Sequence, residues 1–376
     1  MDIMIRAAVL EKPDREISVR EFEKPEMEPG AVLLKTIYSE VCGTDCHLFH
    51  GKLAGVPYPI IPGHVSVGRI AELNGDVKDI HGKSFRANDV VAFLDVHETC
   101  GKCWFCLVAK ATTRCPHRKV YGITYSAKDG LLGGWSEYIY LKPGVKIIRL
   151  PEHVTPEKYI AGGCGMPTAF HAIERAVIKL GDNVVIQGCG PVGLNTVIFS
   201  RLSGAGKIIV LGAPDFRLNL ALEFGADKVF SIDEYPPKDR IRLVLEETGG
   251  RGADVAIEAS GNPKAVREGL QMTRDNGVYV VVGQYADNGP VEINPHLDIN
   301  KKHVDIRGCW GCDFSHLYKA IHVMNRYGSR FPLEKAISKI YNLDESQKAL
   351  MDVEELRVVK AVIDPWKKVT NPVRPV

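Results

Sequence analysis

The chain has little that would take it to a membrane, a nucleic acid or an oxidising compartment. No uninterrupted apolar run approaches the roughly 20 residues of a membrane-spanning helix. The opening MDIMIRAAVLEKPD has an early acid and no long apolar core, unlike a secretory leader. Neither sign of charge dominates: 48 Lys and Arg against 46 Asp and Glu leave +2, spread along the chain. That gives no electrostatic case for nucleic acid or an anionic lipid surface. Internal repeats and low-complexity tracts are missing too. The expectation from these absences is a cytoplasmic globular protein that binds neither nucleic acid nor membrane. Its 376 residues, 45% hydrophobic, suffice for two domains with well-buried cores.

What is present in number is cysteine. Ten cysteines without a leader point away from a disulfide framework and toward metal or reactive thiols. Cys100, Cys103, Cys106 and Cys115 form a Cys-x2-Cys-x2-Cys-x8-Cys run, which suits a closed tetrahedral zinc site. Two readings compete with structural zinc. A ferredoxin-like cluster loop finds no other sign of electron transfer, and a nucleic-acid zinc ribbon is disfavoured by the lack of a basic surface in the segment. Residues 41–51, VCGTDCHLFHG, bring Cys42, Cys46, His47 and His50 together as a metal knuckle, a redox pair or unrelated residues.

Up to about residue 150 the chain reads as short β-rich runs (VLLKTIY, HVSVGRIAEL, DVVAFLDV, WSEYIYL) punctuated by Gly/Pro turns. From about 166 the rhythm changes to short apolar strands alternating with helical segments: NVVIQG, KIIVLG, KVFSI, ADVAIEAS and VYVVVG. That alternation indicates a parallel sheet covered on both faces. A last strand, KAVIDP, follows a helical stretch, and the final ten residues read as a loose tail.

Gly188-x-Gly190-x-x-Gly193, with Pro191 and Val192 between, lies directly between a strand and a helix. In that context the loop fits a dinucleotide, whose pyrophosphate sits on the helix N-terminus. At the end of the next strand Gly212 stands where an NAD site commonly carries an acid for the ribose diol. Its absence removes repulsion against a 2′-phosphate, yet Ala213, Pro214 and Asp215 follow, with no immediate partner for one. Arg217 could supply charge, or Asp215 could take the diol; NAD is the expected coenzyme, with NADP the alternative.

In sequence order, VCGTDCHLFHG with YPIIPGHVSVG, the cysteine lobe and the glycine loop resemble the zinc-containing medium-chain dehydrogenase/reductase family, the alcohol, sorbitol and threonine dehydrogenase group. The resemblance runs from Arg6 to about Pro365. It implies an α/β chain in two parts. A GroES-like β-rich catalytic domain spans 1–165 and 308–376, with its zinc lobe near 98–116. A Rossmann doubly wound parallel-sheet domain spans 166–307, with the active site in the cleft between the two.

The resemblance further implies two zinc ions per chain, one structural in the lobe and one catalytic on Cys42, His64 and Cys164. Three protein ligands leave a fourth position for an alcohol oxygen, and hydride passes to the nicotinamide. Thr44 and His47 match a proton relay, and Asp45 a carboxylate that orients the zinc-bound histidine. Thr168 is expected near the nicotinamide, Lys360 near the pyrophosphate, and Val282 among the coenzyme-binding residues. The implied reaction is reversible oxidation of a primary or secondary alcohol or polyol by NAD(P), in a homodimer or homotetramer. A quinone or enoyl reductase on the same fold, and a dinucleotide-binding protein with a dormant site, are the rivals.

One position departs from the pattern. The family usually has Glu after the zinc histidine, and this chain has Val65, which makes a less anionic metal environment the expectation. Cys46, Cys189, Cys309 and Cys312 have no ligand role in the pattern; packing is expected for the last two, and His117 is the histidine to watch beside the lobe.

Overall fold

A computed structural model describes residues 4–368; the tail expected over the last ten residues lies outside them from residue 369 on. Contacts divide the chain into two compact units: residues up to Ala161 with those from Ile337 on, and Gly162–Ala336.

In the first unit the strand Val32–Val41 is the spine. It pairs antiparallel with Ser66–Leu73, Tyr138–Leu141 and Lys360–Ile363. Val90–Phe93 and Ile147–Arg149 extend the sheet on one side. Ile337–Tyr341, parallel to Lys360–Ile363, extends it on the other. Val32, Leu34, Ile70, Val91, Phe93, Tyr121, Ile139 and Leu141 bury their side chains in one core. Register shifts at Leu33/Leu34 and Thr36/Tyr38 mark irregularities in the ladder to Ser66–Leu73, and such irregularities bend and twist a strand.

Where the spine ends, Cys42 caps the helix Gly43–Phe49. The Cys42 sulfur accepts the Thr44 N–H at 3.3 Å while an Asp45 carboxylate oxygen accepts the Cys42 N–H at 2.9 Å. The result is a reciprocal capping box in which a thiol replaces the usual hydroxyl.

The second unit is a six-stranded, wholly parallel sheet. Across the sheet the strands run Lys228–Ser231, Lys207–Gly212, Asn183–Gln187, Ala253–Glu258, Thr273–Val281 and Asp305–Gly308. Numbered by sequence that is 3-2-1-4-5-6, the doubly wound order whose crevice opens where the winding reverses, beside the first strand. Val184, Val185, Ile186, Ile208, Ile209 and Val210 are fully buried, as strands covered on both faces require. Asp305–Gly308, at the edge, is largely exposed and carries no apolar run. Among the described residues no helix is long and apolar enough to cross a membrane.

Candidate metal and coenzyme sites

The cysteine lobe has little secondary structure, only the helix Trp104–Leu107 and one 3-10 turn, Thr112–Arg114. Its sulfurs nonetheless converge: Cys103–Cys106 3.5 Å, Cys100–Cys115 3.7 Å and Cys103–Cys115 3.9 Å. Four sulfurs about 2.3 Å from one zinc in a tetrahedron stand about 3.8 Å apart, so the spacing fits that metal. The charges fit as well. Backbone N–H groups of Lys102 and Cys103 help bring the Cys100 thiol down to about 6. Desolvation and the neighbouring sulfurs push Cys106 up to about 12, since adjacent thiols do not all ionise without a cation between them. His117 is exposed and stands outside this ligand group. Contrary to the expectation of a segment without a basic surface, Lys102, Lys110 and Arg114 are exposed on it.

A second donor set joins Cys42, His64 and Cys164, whose ligand atoms all lie within 4.8 Å of one another. Cys42 Sγ is 3.8 Å from His64 Nε2, and both residues are buried. Cys164 is half-buried at the start of the helix Gly165–Ala176, with Thr168 half-buried one turn on. Two sulfurs and an imidazole nitrogen suit zinc and leave room for a further ligand. Burial lowers the His64 pKa, but the Cys42, Asp45 and Asp95 charges overturn that and raise it well above the ordinary value. These residues thus draw positive charge to the spot where the donors meet.

Asp45 is buried, and its two oxygens take the N–H groups of Cys42 (2.9 Å) and Gly63 (3.2 Å). It therefore braces the backbone of both ligand loops, while His64 Nδ1 is buried without a hydrogen bond. Burial and the Cys42 thiolate push the Asp45 carboxyl up to about 8; a divalent cation at the three donors favours its ionised form. Thr44 and His47 stand half-buried one turn apart on the same helix. Burial, with Lys52 and His50 nearby, lowers the His47 pKa against the pull of Cys42. Burial pushes the Cys46 thiol well up, which leaves it protonated and inert. His50 bridges Asp14 (2.7 Å) and Glu354 (2.6 Å), so it ties a loop to the helix Ser346–Glu354.

The coenzyme loop is built by close approach. A Cβ on Gly193 would lie 1.9 Å from Gly188 O, so only glycine lets the helix Pro191–Leu202 sit against the loop. Nothing stands within 4 Å of a Cβ on Gly190, so the space on that side of its Cα is open, ahead of Pro191 and Val192 in the first turn. The absent acid at Gly212 has a steric cause: a Cβ there would lie 2.4 Å from Cys189 Sγ. Arg217 is 6% exposed, whereas Asp215 is exposed in the first helical turn.

Val282 donates its N–H to Glu258 O at 2.9 Å. Glu258 has no motif signal, yet it is fully buried at the end of the fourth strand. One of its carboxylate oxygens takes the N–H groups of Ser260 (2.7 Å) and Gly261 (2.8 Å) and the Ser260 hydroxyl (2.8 Å), and so shapes the turn beside Gly188. Lys360 is 1% exposed and ion-paired with Glu40, which engages its charge inside the first unit. Burial pushes the Cys309 thiol up to about 12, and neither it nor Cys312 belongs to a ligand group among the described residues.

Comparison with known proteins places the chain among zinc-binding dehydrogenases. Residues 28–152 match the alcohol dehydrogenase GroES-like domain and residues 191–326 the zinc-binding dehydrogenase domain. The chain is 34% identical to 5-exo-hydroxycamphor dehydrogenase of Pseudomonas putida, over 96% of this chain and 98% of that one. The solved alcohol dehydrogenase of Thermotoga maritima superposes with a TM-score of 0.91 at 33% identity, covering 96% of this chain and 99% of that one. A protein of Sinorhizobium meliloti described as a zinc-binding dehydrogenase, solved with NADP, gives 0.84 at 25% identity, covering 96% and 100%. By its GroES-like domain, its Rossmann sheet and its relatives across nearly the whole length, the chain belongs to the zinc-containing medium-chain dehydrogenase/reductase family, the zinc-type alcohol dehydrogenases.

Proposed function

We propose that this chain reversibly oxidises a secondary or primary alcohol to a ketone or aldehyde, with NAD as hydride acceptor and two zinc ions per chain. The observation that carries the reading is the convergence of Cys42, His64 and Cys164, a three-donor set with a place for a substrate oxygen. Zinc bound there supplies Lewis-acid polarisation of that oxygen and eases loss of its proton. The chain's own residues do the rest. Asp45 holds the two ligand loops through Cys42 N–H and Gly63 N–H. Thr44 accepts the alcohol proton at its hydroxyl oxygen while its own hydroxyl proton passes on toward His47, whose lowered pKa favours the neutral, proton-accepting imidazole. The Gly188–Gly193 loop holds the pyrophosphate and Glu258 fixes the neighbouring turn.

The hydroxycamphor relative acts on a cyclic secondary alcohol, so such alcohols lead the substrate panel, followed by polyols and amino alcohols. The test is NAD(P)H formation across that panel, together with metal counting. Turnover that resists a chelator, or zinc only in the lobe, would sink the proposal.

Coenzyme choice rests on Asp215, since Gly212 is closed by Cys189 and Arg217 is buried. A carboxylate that accepts hydrogen bonds from the ribose diol contributes about 1.5–3 kcal/mol and repels a 2′-phosphate. Asp215→Ala is therefore expected to lower the NAD/NADP ratio of kcat/KM at least about tenfold. An unchanged ratio would move the discrimination elsewhere.

A further inference from the structure

Glu40 and Lys360 form an ion pair in which each side chain is 1% exposed, and no step above uses it. The two residues are 320 positions apart and meet because Lys360–Ile363 runs antiparallel beside the spine, with Val362 facing Glu40 and Ala361 facing Val41. One further step in that register sets Lys360 abreast of Cys42. On its other side Glu40 donates its backbone N–H to Val65 O at 3.0 Å, next to His64. Ser39 Oγ donates to the same carbonyl at 3.3 Å, and Trp135 Nε1 donates to Glu40 O at 3.0 Å. Glu40 thus lies between the strand end that carries Cys42 and the strand start that follows His64. An acid faces Val65 from the adjacent strand, where the residue after His64 itself is apolar.

Burying two opposite charges costs about as much desolvation as their attraction returns, and an apolar pair of the same volume would serve stability as well. What an ammonium–carboxylate contact adds is direction: it fixes a length and an angle that methylene groups leave free to slide. We infer that the buried Glu40–Lys360 pair is a positioning device that fixes Cys42 and His64 at metal-binding separation. The inference rests on the catalytic-metal reading given above. It acts through backbone: Lys360 holds Glu40, and Glu40 holds Val65 and, through the spine, Cys42. Val65 is left free to be apolar because the acid comes from the neighbouring strand.

Zinc release to a chromogenic chelator tests this, with the cysteine lobe as an internal clock in the same molecule. The wild type should release zinc in two phases. In the double variant Glu40→Leu/Lys360→Met, which leaves no unpaired buried charge, the lobe phase and the Tm should stay near wild type. The second phase should quicken about 10- to 100-fold, the usual cost of losing a group that orients metal ligands. Lys360→Arg, which keeps the pair, should restore slow release. Two unchanged phases in the double variant would overturn the positioning role while leaving the catalytic zinc in place. Equal quickening of both phases, or a collapse in Tm, would overturn it in favour of a purely structural pair. A wild type that releases lobe zinc alone would overturn the catalytic-metal reading itself, and with it this inference, before any variant is made.

Discussion

Replacing Cys164 by alanine is expected to cut alcohol oxidation by about a thousandfold or more while the protein stays folded. Cys164 stands at the start of the helix Gly165–Ala176 with helical φ and ψ, and its side chain makes no capping hydrogen bond, so alanine fits the backbone there. It is half-buried, and the change removes a single sulfur from the packing. The catalytic loss is of another order. Cys42 and His64 alone hold a divalent ion poorly, and Lewis-acid stabilisation of a developing alkoxide is worth several kcal/mol, each 1.36 kcal/mol being about tenfold in rate. Zinc content should fall from about two ions per chain to about one, the four-thiolate lobe keeping its own. Metal analysis, steady-state rates and the Tm of the same preparation check all three. A variant that keeps full activity, or both zinc ions, would remove Cys164 from the site.

That prediction is legible in the sequence only through a motif, because nothing local marks Cys164 as a partner of residues 100 and more positions earlier. The lobe is different: its four cysteines announce a ligand set by spacing alone, and their sulfurs all lie within 4.8 Å of one another. The glycine loop is legible too, since strand, tight turn and helix follow one another directly. Gly212 shows where pattern reading stops. Its meaning as a missing acid is visible, but its cause, the Cys189 sulfur in the space a Cβ would need, belongs to packing of the glycine loop against the end of the next strand.

Glu40 escapes because only the fold brings Lys360, 320 positions away, to it. Glu258 escapes for another reason: its partners Ser260 and Gly261 are close in sequence, but no motif marks an acid at the end of that strand as the holder of the next turn. The helix Gly43–Phe49 hides behind its motif because its capping box uses cysteine where a hydroxyl is the usual signal. Asp305–Gly308 hides because an exposed edge strand needs no apolar run.

Metal removal from the cysteine lobe should unfold that lobe locally, with the largest energetic effect of any single change considered. From Glu98 to Arg118 only Thr113 and Cys115 are buried. Trp104, Leu107 and Val108 are 62%, 53% and 64% exposed, so the segment has no apolar core to fall back on. Its helix is one turn long, far below the length at which a helix holds by itself. Four converging thiolates are what remains, and binding zinc to such sets stabilises small folds by about 10–16 kcal/mol in peptides.

Cys115 is the most exacting of the four. It is buried, its sulfur accepts the Cys100 N–H at 3.3 Å, and it stands between Cys100 and Cys103. Cys115→Ser, or chelation of the wild type, is therefore expected to raise tryptic cleavage at the exposed Lys102, Lys110 and Arg114 by about a thousandfold or more, since cleavage tracks the open population. Cleavage should stay local, because the sheet core around Leu34, Val91 and Ile139 contains no lobe residue. Peptide mapping of the digest, with and without zinc restored, reads the result. A metal-free lobe that resists trypsin as well as the zinc-loaded one would mean that something other than the four thiolates holds it.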